Sequence, residues 1–404
     1  MSERKGIPFV DLVAPHLQLE DELVGTIRDV LRSGMLVGGP VVEQFEQEFA
    51  QYCDARYCVG VSSGTDALRF ALMAAGIGTG DAVVTVANTF AATVEAILQA
   101  GARPCFVDIN PATFNMSVEG LRSFLQNECE RSGTSPAPVH RSSGRPIKAI
   151  VPVHLYGQMC DMDPIMALAA EYGLSVIEDS CQAHGAQYFS ARENAWRKAG
   201  SIGKAAAFSF YPAKNLGAGG EAGAITTNDE ALATHVRMLR DHGQNKKYHH
   251  LLEGYNGRID ALQAAILRVK LPHLEDWNEK RRLAAQTYKQ LLSDADCAVA
   301  PSEPSWSRAV YHLYVIRVQR RDELQNFMLR RRISTGLHYP IPLHQQKAFE
   351  HLGYHEGALP ATEAAASEIL SLPMYPQIEP SQQFQVVDSL KQFFSVRSIP
   401  LSLP

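Results

Sequence analysis

Apolar and polar stretches alternate regularly over the middle of the chain, from residue 57 to about 228. Short apolar runs with the length of buried strands are followed by turns, and then by stretches whose apolar residues recur every three or four positions. The predicted strands are Tyr57–Val61, Ala82–Val86, Cys105–Val107, Lys148–Val153, Leu174–Ile177, Ala205–Phe210 and Gly223–Thr226. The predicted helices between the earlier strands are Asp66–Ala75, Ala92–Ala100, Val118–Cys129 and Met162–Tyr172. Because alternating strands and helices require crossover connections, the pattern predicts an α/β fold with a mostly parallel central sheet.

A different pattern begins near Ile259. It predicts two long helices with a kink at Pro272, followed by shorter α+β elements. These elements are Asp260–Asp276, Trp277–Leu292, a strand at Tyr311–Val318 and a helix at Asp322–Arg332. We therefore predict an N-terminal arm over residues 1–33, a large α/β domain over 34–258, and long helices with a smaller α+β domain over 259–404.

Two segments interrupt the regular pattern. Residues 131–145 are rich in Ser, Pro and Gly, and residues 188–199 are charged and irregular. This composition is typical of loops, so both are predicted to be surface insertions.

Composition narrows the class of protein. Apolar residues make up 46% of the 404 residues and charged residues 20%, as in globular proteins with a large core. The formal charge of −5 argues against nucleic-acid binding, which requires a basic face. No signal peptide is visible, and no stretch approaches the ~18 apolar residues of a spanning helix. We expect a cytoplasmic enzyme with neither a membrane nor a nucleic-acid partner.

The cysteines and histidines suggest no metal centre. The seven cysteines include no Cys-x-x-Cys pair, which indicates reduced thiols rather than disulfides. His351 and His355 are four residues apart but have no third ligand near them in the sequence. We therefore predict no metal.

Three short segments carry residues suited to chemistry. Ser63-Gly64-Thr65-Asp66 follows a strand and opens a helix, where free amides and the helix dipole can bind an anion. The same residues are equally suited to capping that helix. Glu178 and Asp179 end a buried strand, where open α/β sheets bind ligands, although Asp179 could instead cap the following loop.

The third segment is Phe208–Gly217, which sets Lys214 among apolar, aromatic and glycine residues. Lysines are rarely buried without a purpose, and burial lowers the pKa of the amine so that it can act as a Schiff-base nucleophile. The alternative is a surface lysine on a loop. An anion site, a carboxylate and a lysine in this order are compatible with pyridoxal phosphate (PLP) chemistry.

Several longer motifs make a resemblance specific. They are Leu36-Val37-Gly38-Gly39-Pro40, Ser63–Leu68, Ala87-Asn88-Thr89-Phe90, Pro152–Gly157, Glu178–Gly185, Phe208–Gly217, Gly254–Gln263 and Gly336–Pro340. From about Pro8 to Pro376 the sequence resembles the DegT/DnrJ/EryC1/StrS family of PLP-dependent sugar aminotransferases, which have fold type I, the aspartate-aminotransferase-like fold. It departs at Gly219–Gly223, where relatives often carry Gly-Asp-Gly-Gly.

The resemblance implies a role for each matching residue. Lys214 would form the Schiff base and shuttle a proton, and Asp179 would pair with the pyridinium nitrogen. The other implied cofactor contacts are ring stacking by Phe90, a hydrogen bond from Gln182 to the phenolic oxygen, and phosphate binding near Gly64, Thr65 and Asp66 with the Ser209 hydroxyl. Asn256 would reach the phosphate from the neighbouring subunit, which implies a homodimer with shared active sites.

The resemblance also implies the substrate side of the site. Tyr211, Lys247, His338 and Tyr339 would face a nucleotide-linked sugar. Lys247 suits a pyrophosphate electrostatically, although Lys246-Lys247 could also be a solvated pair.

The implied reaction moves an amino group from glutamate to a nucleotide-linked keto sugar, most specifically to C3 of a dTDP-3-keto-6-deoxyhexose in amino-sugar biosynthesis. The alternatives are a UDP-linked 3-keto uronate, a 4-keto sugar or a cyclitol ketone as substrate. A dehydratase on the same fold, which lacks the lysine, and a catalytically silent regulatory protein are more remote.

Overall fold

The computed structural model describes residues 6–131 and 137–395. Its strands are β1 (Tyr57–Val61), β2 (Ala82–Val86), β3 (Arg103–Val107), β4 (Cys129–Glu130), β5 (Val139–His140), β6 (Arg145–Ile150), β7 (Ser175–Asp179), β8 (Gln187–Ser190), β9 (Ala195–Lys198), β10 (Ala205–Ser209), β11 (Gly223–Thr227), β12 (Gln244–Lys246), β13 (His249–His250), β14 (Ala298–Val299), β15 (Ser307–Arg308), β16 (Tyr314–Val318) and β17 (Ile369–Leu372). Its α-helices are α1 (Val13–Gln18), α2 (Glu20–Ser33), α3 (Pro40–Tyr52), α4 (Gly64–Ala74), α5 (Ala91–Gln99), α6 (Val118–Ser123), α7 (Met162–Tyr172), α8 (Glu230–Arg240), α9 (Ala261–Lys270), α10 (Leu274–Leu292), α11 (Arg321–Arg330), α12 (Pro360–Glu368) and α13 (Pro380–Ser395). Within these described ranges, no helix combines the length and the apolar character needed to cross a membrane.

The central sheet is mostly parallel, as predicted. Its main strands lie in the order β1-β11-β10-β7-β6-β2-β3. The neighbouring pairs from β10 to β3 are all parallel, whereas β11 runs antiparallel to β1 and β10. Helices α4, α5, α7 and α8 join or flank these strands as the crossover rule requires.

Strand alternation explains how both faces of this sheet are buried. In β10, Ala205 and Ala207 belong to the core beneath α4 and α8, while Ala206 and Phe208 pack with α3 and α9 on the other face. Because neither face of such a strand contacts solvent, its sequence is a continuous apolar run.

The C-terminal part has the predicted α+β character. Strands β14, β16 and β17 form an antiparallel sheet that packs with α10, α11 and α13. Pro272 lies in a 3-10 turn, Leu271–His273, between α9 and α10, where the kink was predicted. Because α9 packs against α3 and the central sheet, the division of the chain at residues 33 and 258 stays a prediction.

The segment 188–199 is not the irregular loop that its charge suggested. It forms most of the hairpin β8–β9, with β15 on the other side of β8. The aromatic rings supply the reason: Tyr188 packs on Trp306 and Phe189 on Trp196, with ring centroids 5.3 and 5.5 Å apart. Of the charged residues that suggested a loop, Arg192 and Glu193 lie in the turn, while Arg197 and Lys198 are half-buried in β9.

Two further boundaries differ from the sequence pattern. The helix predicted over Val118–Cys129 is α-helical only to Ser123, continues as a π-turn to Glu128, and gives way to β4 at Cys129. In the segment 131–145, residues 132–136 lie outside the described residues, while β5 and the start of β6 form strands rather than loop. These strands extend the central sheet at β6.

Candidate active site

A cavity of about 660 Å³ opens at the carboxyl ends of the sheet strands β1, β2, β6, β7 and β10. This is the volume and the place in an open α/β sheet where small molecules bind. Ten of the residues predicted from the sequence line it: Gly64, Thr65, Phe90, Asp179, Gln182, Ser209, Tyr211, Lys214, His338 and Tyr339. The residues come from distant parts of the chain, so the fold has brought them together.

The N-terminus of α4 serves as a cap and leaves amides free at the same time. Ser63 Oγ accepts from the Asp66 amide at 3.1 Å, while the Asp66 carboxylate is held by Ser62 and Arg69 and does not line the cavity. Within residues 6–131 and 137–395, no acceptor pairs with the amides of Gly64 and Thr65. Helix capping therefore uses the Asp66 amide, while the amides of Gly64 and Thr65 remain available to bind an anion.

Gly64 is required by the close approach of α4 to β10. A Cβ atom at this position would lie 2.6 Å from Ser209 Cβ and 3.1 Å from Cys181 Sγ. Any side chain would therefore push the free amides away from the Ser209 hydroxyl. The result is a cradle of two N–H groups and one hydroxyl that suits a phosphate.

Asp179 lies at the end of β7 and is 7% exposed. Its Oδ2 accepts from Thr93 Oγ1 at 2.7 Å and its Oδ1 from the Cys181 amide at 3.2 Å. Each oxygen keeps a further lone pair, so the carboxylate can still receive a cationic donor from the cavity.

Glu178, the other acid of the pair, has a structural role. It points to the opposite face of β7 and is fully buried. Four donors surround it: His154 Nε2 at 2.9 Å and the amides of Gly200, Ile202 and Gly203 at 3.1, 3.0 and 2.7 Å. Burial alone would raise the pKa of Glu178, but these donors lower it below its ordinary value.

Lys214 lies in a tight turn that follows β10. Its amide donates to the Tyr211 carbonyl at 2.8 Å, and a Cβ atom at Gly217 would lie 2.3 Å from the Pro212 carbonyl oxygen. Burial lowers the pKa of the Lys214 amine, while the nearby Cys181 and Asp179 act in the opposite direction. The site thus holds an amine that is easier to deprotonate than an ordinary lysine.

Phe90 and Tyr339 form an aromatic wall of the cavity. Phe90 precedes α5 with an exposed ring, whose centroid is 5.7 Å from that of Tyr339. Gln182 Nε2 donates to Tyr339 Oη at 3.1 Å, while Gln182 Oε1 accepts from the Tyr156 amide at 2.8 Å. The second hydrogen on Gln182 Nε2 remains available for a ligand.

The surroundings of the two cavity histidines favour their neutral forms. Burial and the Lys214 charge lower the pKa of His338 to about 4 and that of His312 well below its ordinary value. His338 Nδ1 lies 2.9 Å from Ser371 Oγ, and its ring stacks on Phe9 with centroids 5.4 Å apart. Lys214 is the one lysine or arginine among the described residues that line the cavity.

Sequence reasoning missed several residues that line the cavity. They are Phe9, Val10, Thr89, Thr93, Cys181, His312 and Glu221, the last noted only as a departure from a motif. Phe9 and His312 carry no local pattern that separates them from core residues. The spacing of Thr89 and Thr93, four residues apart at the start of a helix, is a signal that could have been used.

Lys247 and Asn256 lie outside this cavity. Lys247 is exposed on the β12–β13 hairpin, with its amine 5.2 Å from the centroid of the Tyr248 ring. Asn256 is exposed and lies in a β-bridge with Asp241. Their roles, like those of the other site residues, stay predictions.

Comparisons with known proteins show which proteins this chain resembles. A "pleiotropic regulatory protein" of Geobacillus stearothermophilus is 45% identical over 96% of this chain and 99% of its own length. A dTDP-3-amino-3,4,6-trideoxy-alpha-D-glucose transaminase of Streptomyces venezuelae is 38% identical over 97% of each chain. The crystal structure of S. venezuelae DesV in complex with a ketimine intermediate superposes with a TM-score of 0.88 at 38% identity, covering 96% of this chain and 98% of DesV. Relatives from Acidithiobacillus ferrooxidans and Pseudomonas aeruginosa have the names of UDP-sugar aminotransferases.

The residues present also fit the cofactor of such enzymes. Proteins of the DegT/DnrJ/EryC1/StrS family depend on PLP. This cofactor requires an anion site, an amine for its aldehyde and a partner for its ring nitrogen. The Gly64 cradle, the Lys214 amine and the two remaining lone pairs of Asp179 meet these needs in one cavity. The DegT/DnrJ/EryC1/StrS aminotransferase family model matches residues 17–391, and this PLP-dependent enzyme belongs to that family.

Proposed function

We propose that this enzyme transfers an amino group from glutamate to a nucleotide-linked keto sugar, most specifically to C3 of a dTDP-3-keto-6-deoxyhexose. The observation that carries the proposal is the convergence of the Lys214 amine and the Asp179 carboxylate in one cavity beside a phosphate cradle. The names of the Streptomyces relative and of a dTDP-3-amino-3,6-dideoxy-alpha-D-galactopyranose transaminase support the dTDP sugar. Lys214 also favours amino transfer over dehydration, because a dehydratase on this fold lacks the lysine.

The cofactor and the protein divide the chemistry. When bound, PLP supplies a ring that withdraws electrons from the carbon atom that loses a proton. Lys214 would hold the cofactor aldehyde and, once released, carry a proton between cofactor and substrate carbon atoms, which its lowered pKa supports. Asp179 would keep the ring nitrogen protonated, and the amides of Gly64 and Thr65 would hold the phosphate.

The substrate would enter between the aromatic wall and Tyr211. Tyr211 is half exposed at the cavity, and His338 and Tyr339 also line it. A neutral His338 can donate or accept hydrogen bonds with sugar hydroxyls without the cost of an unpaired buried charge. Lys247, which does not line the cavity of its own chain, would provide positive charge for the diphosphate of the nucleotide-linked sugar.

Two measurements test the proposal. The purified, PLP-loaded protein should be yellow, and its visible band should shift when glutamate is added. With 2-oxoglutarate as acceptor, the reverse reaction should have its highest kcat/KM with a dTDP-3-amino-3,6-dideoxyhexose, at least ~10-fold above a UDP-3-amino uronate or a dTDP-4-amino sugar. A difference of this size corresponds to about 1.4 kcal/mol of transition-state binding, which one or two lost contacts provide.

Three results would contradict the proposal. No band shift with glutamate or glutamine would overturn amino transfer from either donor. A band shift with glutamine alone would show that glutamine, not glutamate, is the amino donor. A higher kcat/KM for the UDP-3-amino uronate would show that the substrate is the UDP-linked sugar.

We further propose a homodimer in which Asn256 completes the phosphate site of the partner subunit. Asn256 is exposed and is not among the residues that line its own chain's cavity, which supports this arrangement. Asn256→Ala should weaken PLP binding, and mixing it with Lys214→Ala should form heterodimers in which one site carries both lesions and the other neither. After subunit exchange, activity should rise above that of both parents, towards a quarter of the wild-type value if exchange is random.

The exchange itself needs an independent control. Differently tagged subunits that co-purify after mixing establish that heterodimers have formed. If they form without recovery of activity, or if light scattering finds a fully active monomer, the shared-site arrangement is wrong.

A further inference from the structure

We propose that Thr93 is a positioning residue that fixes the Asp179 carboxylate for the ring nitrogen of the cofactor, through a relay that begins at Thr89. The inference rests on the role proposed for Asp179. It concerns two hydroxyl groups, to which the sequence motifs assign no role.

The geometry of the relay is short and buried. Thr89 Oγ1 lies 2.9 Å from Thr93 Oγ1, which lies 2.7 Å from Asp179 Oδ2. Thr89 and Thr93 are each 2% exposed, and both line the cavity. Thr93 belongs to α5 and Asp179 to β7, so the relay joins two elements 86 residues apart.

The direction of the hydrogen bonds follows from proton counting. A threonine hydroxyl has one hydrogen, and an ionised carboxylate can only accept. Thr93 must therefore donate to Asp179, which leaves its lone pairs to accept from the Thr89 hydroxyl. Each bond polarises the next, so the relay binds Asp179 more firmly than a lone hydroxyl would.

This use of a helical threonine differs from the ordinary one. Threonine hydroxyls inside helices usually bond to the carbonyl four residues earlier, whereas that of Thr93 bonds to a carboxylate on a neighbouring strand. With the Cys181 amide on Oδ1, it restricts the rotation of the Asp179 side chain from both sides. The lone pairs that remain then have a defined direction, which a charge pair with a ring nitrogen requires.

The relay also connects the Asp179 carboxylate to Phe90 of the aromatic wall. Phe90 lies between Thr89 and the first residue of α5, so the turn that supplies the relay also supports the exposed ring of Phe90. A substitution at Thr93 could therefore weaken cofactor binding in two ways. The experiment has to separate the loss of charge pairing from the loss of stacking.

A ligand lacking the ring nitrogen separates them. We would measure Kd of the apo-protein for PLP and for its carbocyclic analogue, in which the nitrogen is replaced by C–H, by titration calorimetry. The change in the ratio of the analogue Kd to the PLP Kd, from wild type to variant, reports the interaction with the nitrogen. The two ligands also differ in stacking and in attachment to Lys214, but this difference is present in every variant and cancels in the comparison.

We expect Thr93→Val to lower this ratio about fivefold to tenfold, which is less than the loss of a direct hydrogen bond to a charged group, because Thr93 acts on the nitrogen only through Asp179. Thr93→Ser, which keeps the hydroxyl, should restore the wild-type ratio. Thr226→Val is the matched control, because Thr226 is another buried threonine, with its hydroxyl on the Gly200 carbonyl at 2.8 Å and outside the cavity. It should leave the ratio unchanged.

The Asp179→Asn protein distinguishes failure of the premise from failure of the inference. If Asp179→Asn leaves the ratio unchanged, the proposed role of Asp179 is wrong and the inference falls with it. If Asp179→Asn lowers the ratio and Thr93→Val does not, only the inference about Thr93 is wrong. An equal loss of affinity for both ligands in Thr93→Val would mean a purely structural role. Should Thr93→Val fail to fold, Thr93→Ala must show the same selective loss.

Discussion

Lys214→Ala should lower turnover at least ~10,000-fold, while the protein still folds and still binds PLP without a covalent bond. The loss is this large because one amine is proposed both to hold the cofactor and to move the proton. The cradle at Gly64 and the Asp179 carboxylate do not depend on the lysine, so they should retain the cofactor. Borohydride treatment followed by mass spectrometry should find the cofactor adduct in the wild type and none in the variant.

The chain offers a matched control in Lys270. This amine is also buried, and burial lowers its pKa to about 8, but it bonds to the Gly217 carbonyl at 2.7 Å and does not line the cavity. Lys270→Met should therefore keep the borohydride adduct. An adduct on Lys270, or on any lysine other than Lys214, in the wild-type protein would show that a low pKa alone had misdirected the assignment.

Asp179→Asn should lower turnover at least ~100-fold with the fold intact, as expected when a group that stabilises developing charge is removed. Without a counter-ion the ring nitrogen loses its proton more readily, and the ring withdraws electrons less strongly. Locally, the asparagine can accept through one oxygen where Asp179 accepts through two, from Thr93 and Cys181. The measurements are kcat with glutamate and the midpoint of thermal unfolding.

Glu178→Gln is the contrasting substitution, one residue away on the same strand. A glutamine would turn an NH₂ group towards donors that now point at a carboxylate, so we expect about 3 kcal/mol lower unfolding free energy. Turnover per folded molecule should fall less than in Asp179→Asn. If the two variants exchanged these effects, with Glu178→Gln catalytically dead and Asp179→Asn merely unstable, the roles assigned to the two acids would be reversed.

Much of the fold follows from local patterns in the sequence. Tyr57–Val61, Ala82–Val86 and Met162–Tyr172 have the same bounds in the structure as in the prediction. These elements are continuous apolar runs or strongly periodic stretches bounded by turn residues, so local sequence and tertiary burial favour the same conformation. The hairpin over residues 187–198 was missed because contacts made outside the segment, from Trp306 and β15, stabilise strands that its charged residues disfavour.

Some site residues can likewise be identified from local sequence, whereas others depend on tertiary contacts. Lys214 could be recognised from its neighbours along the chain, because a lysine in an apolar, glycine-rich segment contradicts the local pattern. The anion site and the cap at Ser63–Asp66 remained alternatives until the structure assigned the Asp66 amide to the cap and left those of Gly64 and Thr65 free. That assignment depends on the distance between α4 and β10, which local sequence does not encode.

The sequence by itself thus determined the class of fold, the family and the residues whose chemistry is visible in their own neighbourhood. Only the tertiary structure decided which of two adjacent acids faces the cavity, since alternation along β7 makes their faces opposite without saying which face binds a ligand. It alone brought Phe9, Thr93 and His312 into one cavity. Their contacts join segments far apart in the chain, and such contacts depend on how whole elements pack rather than on any local pattern.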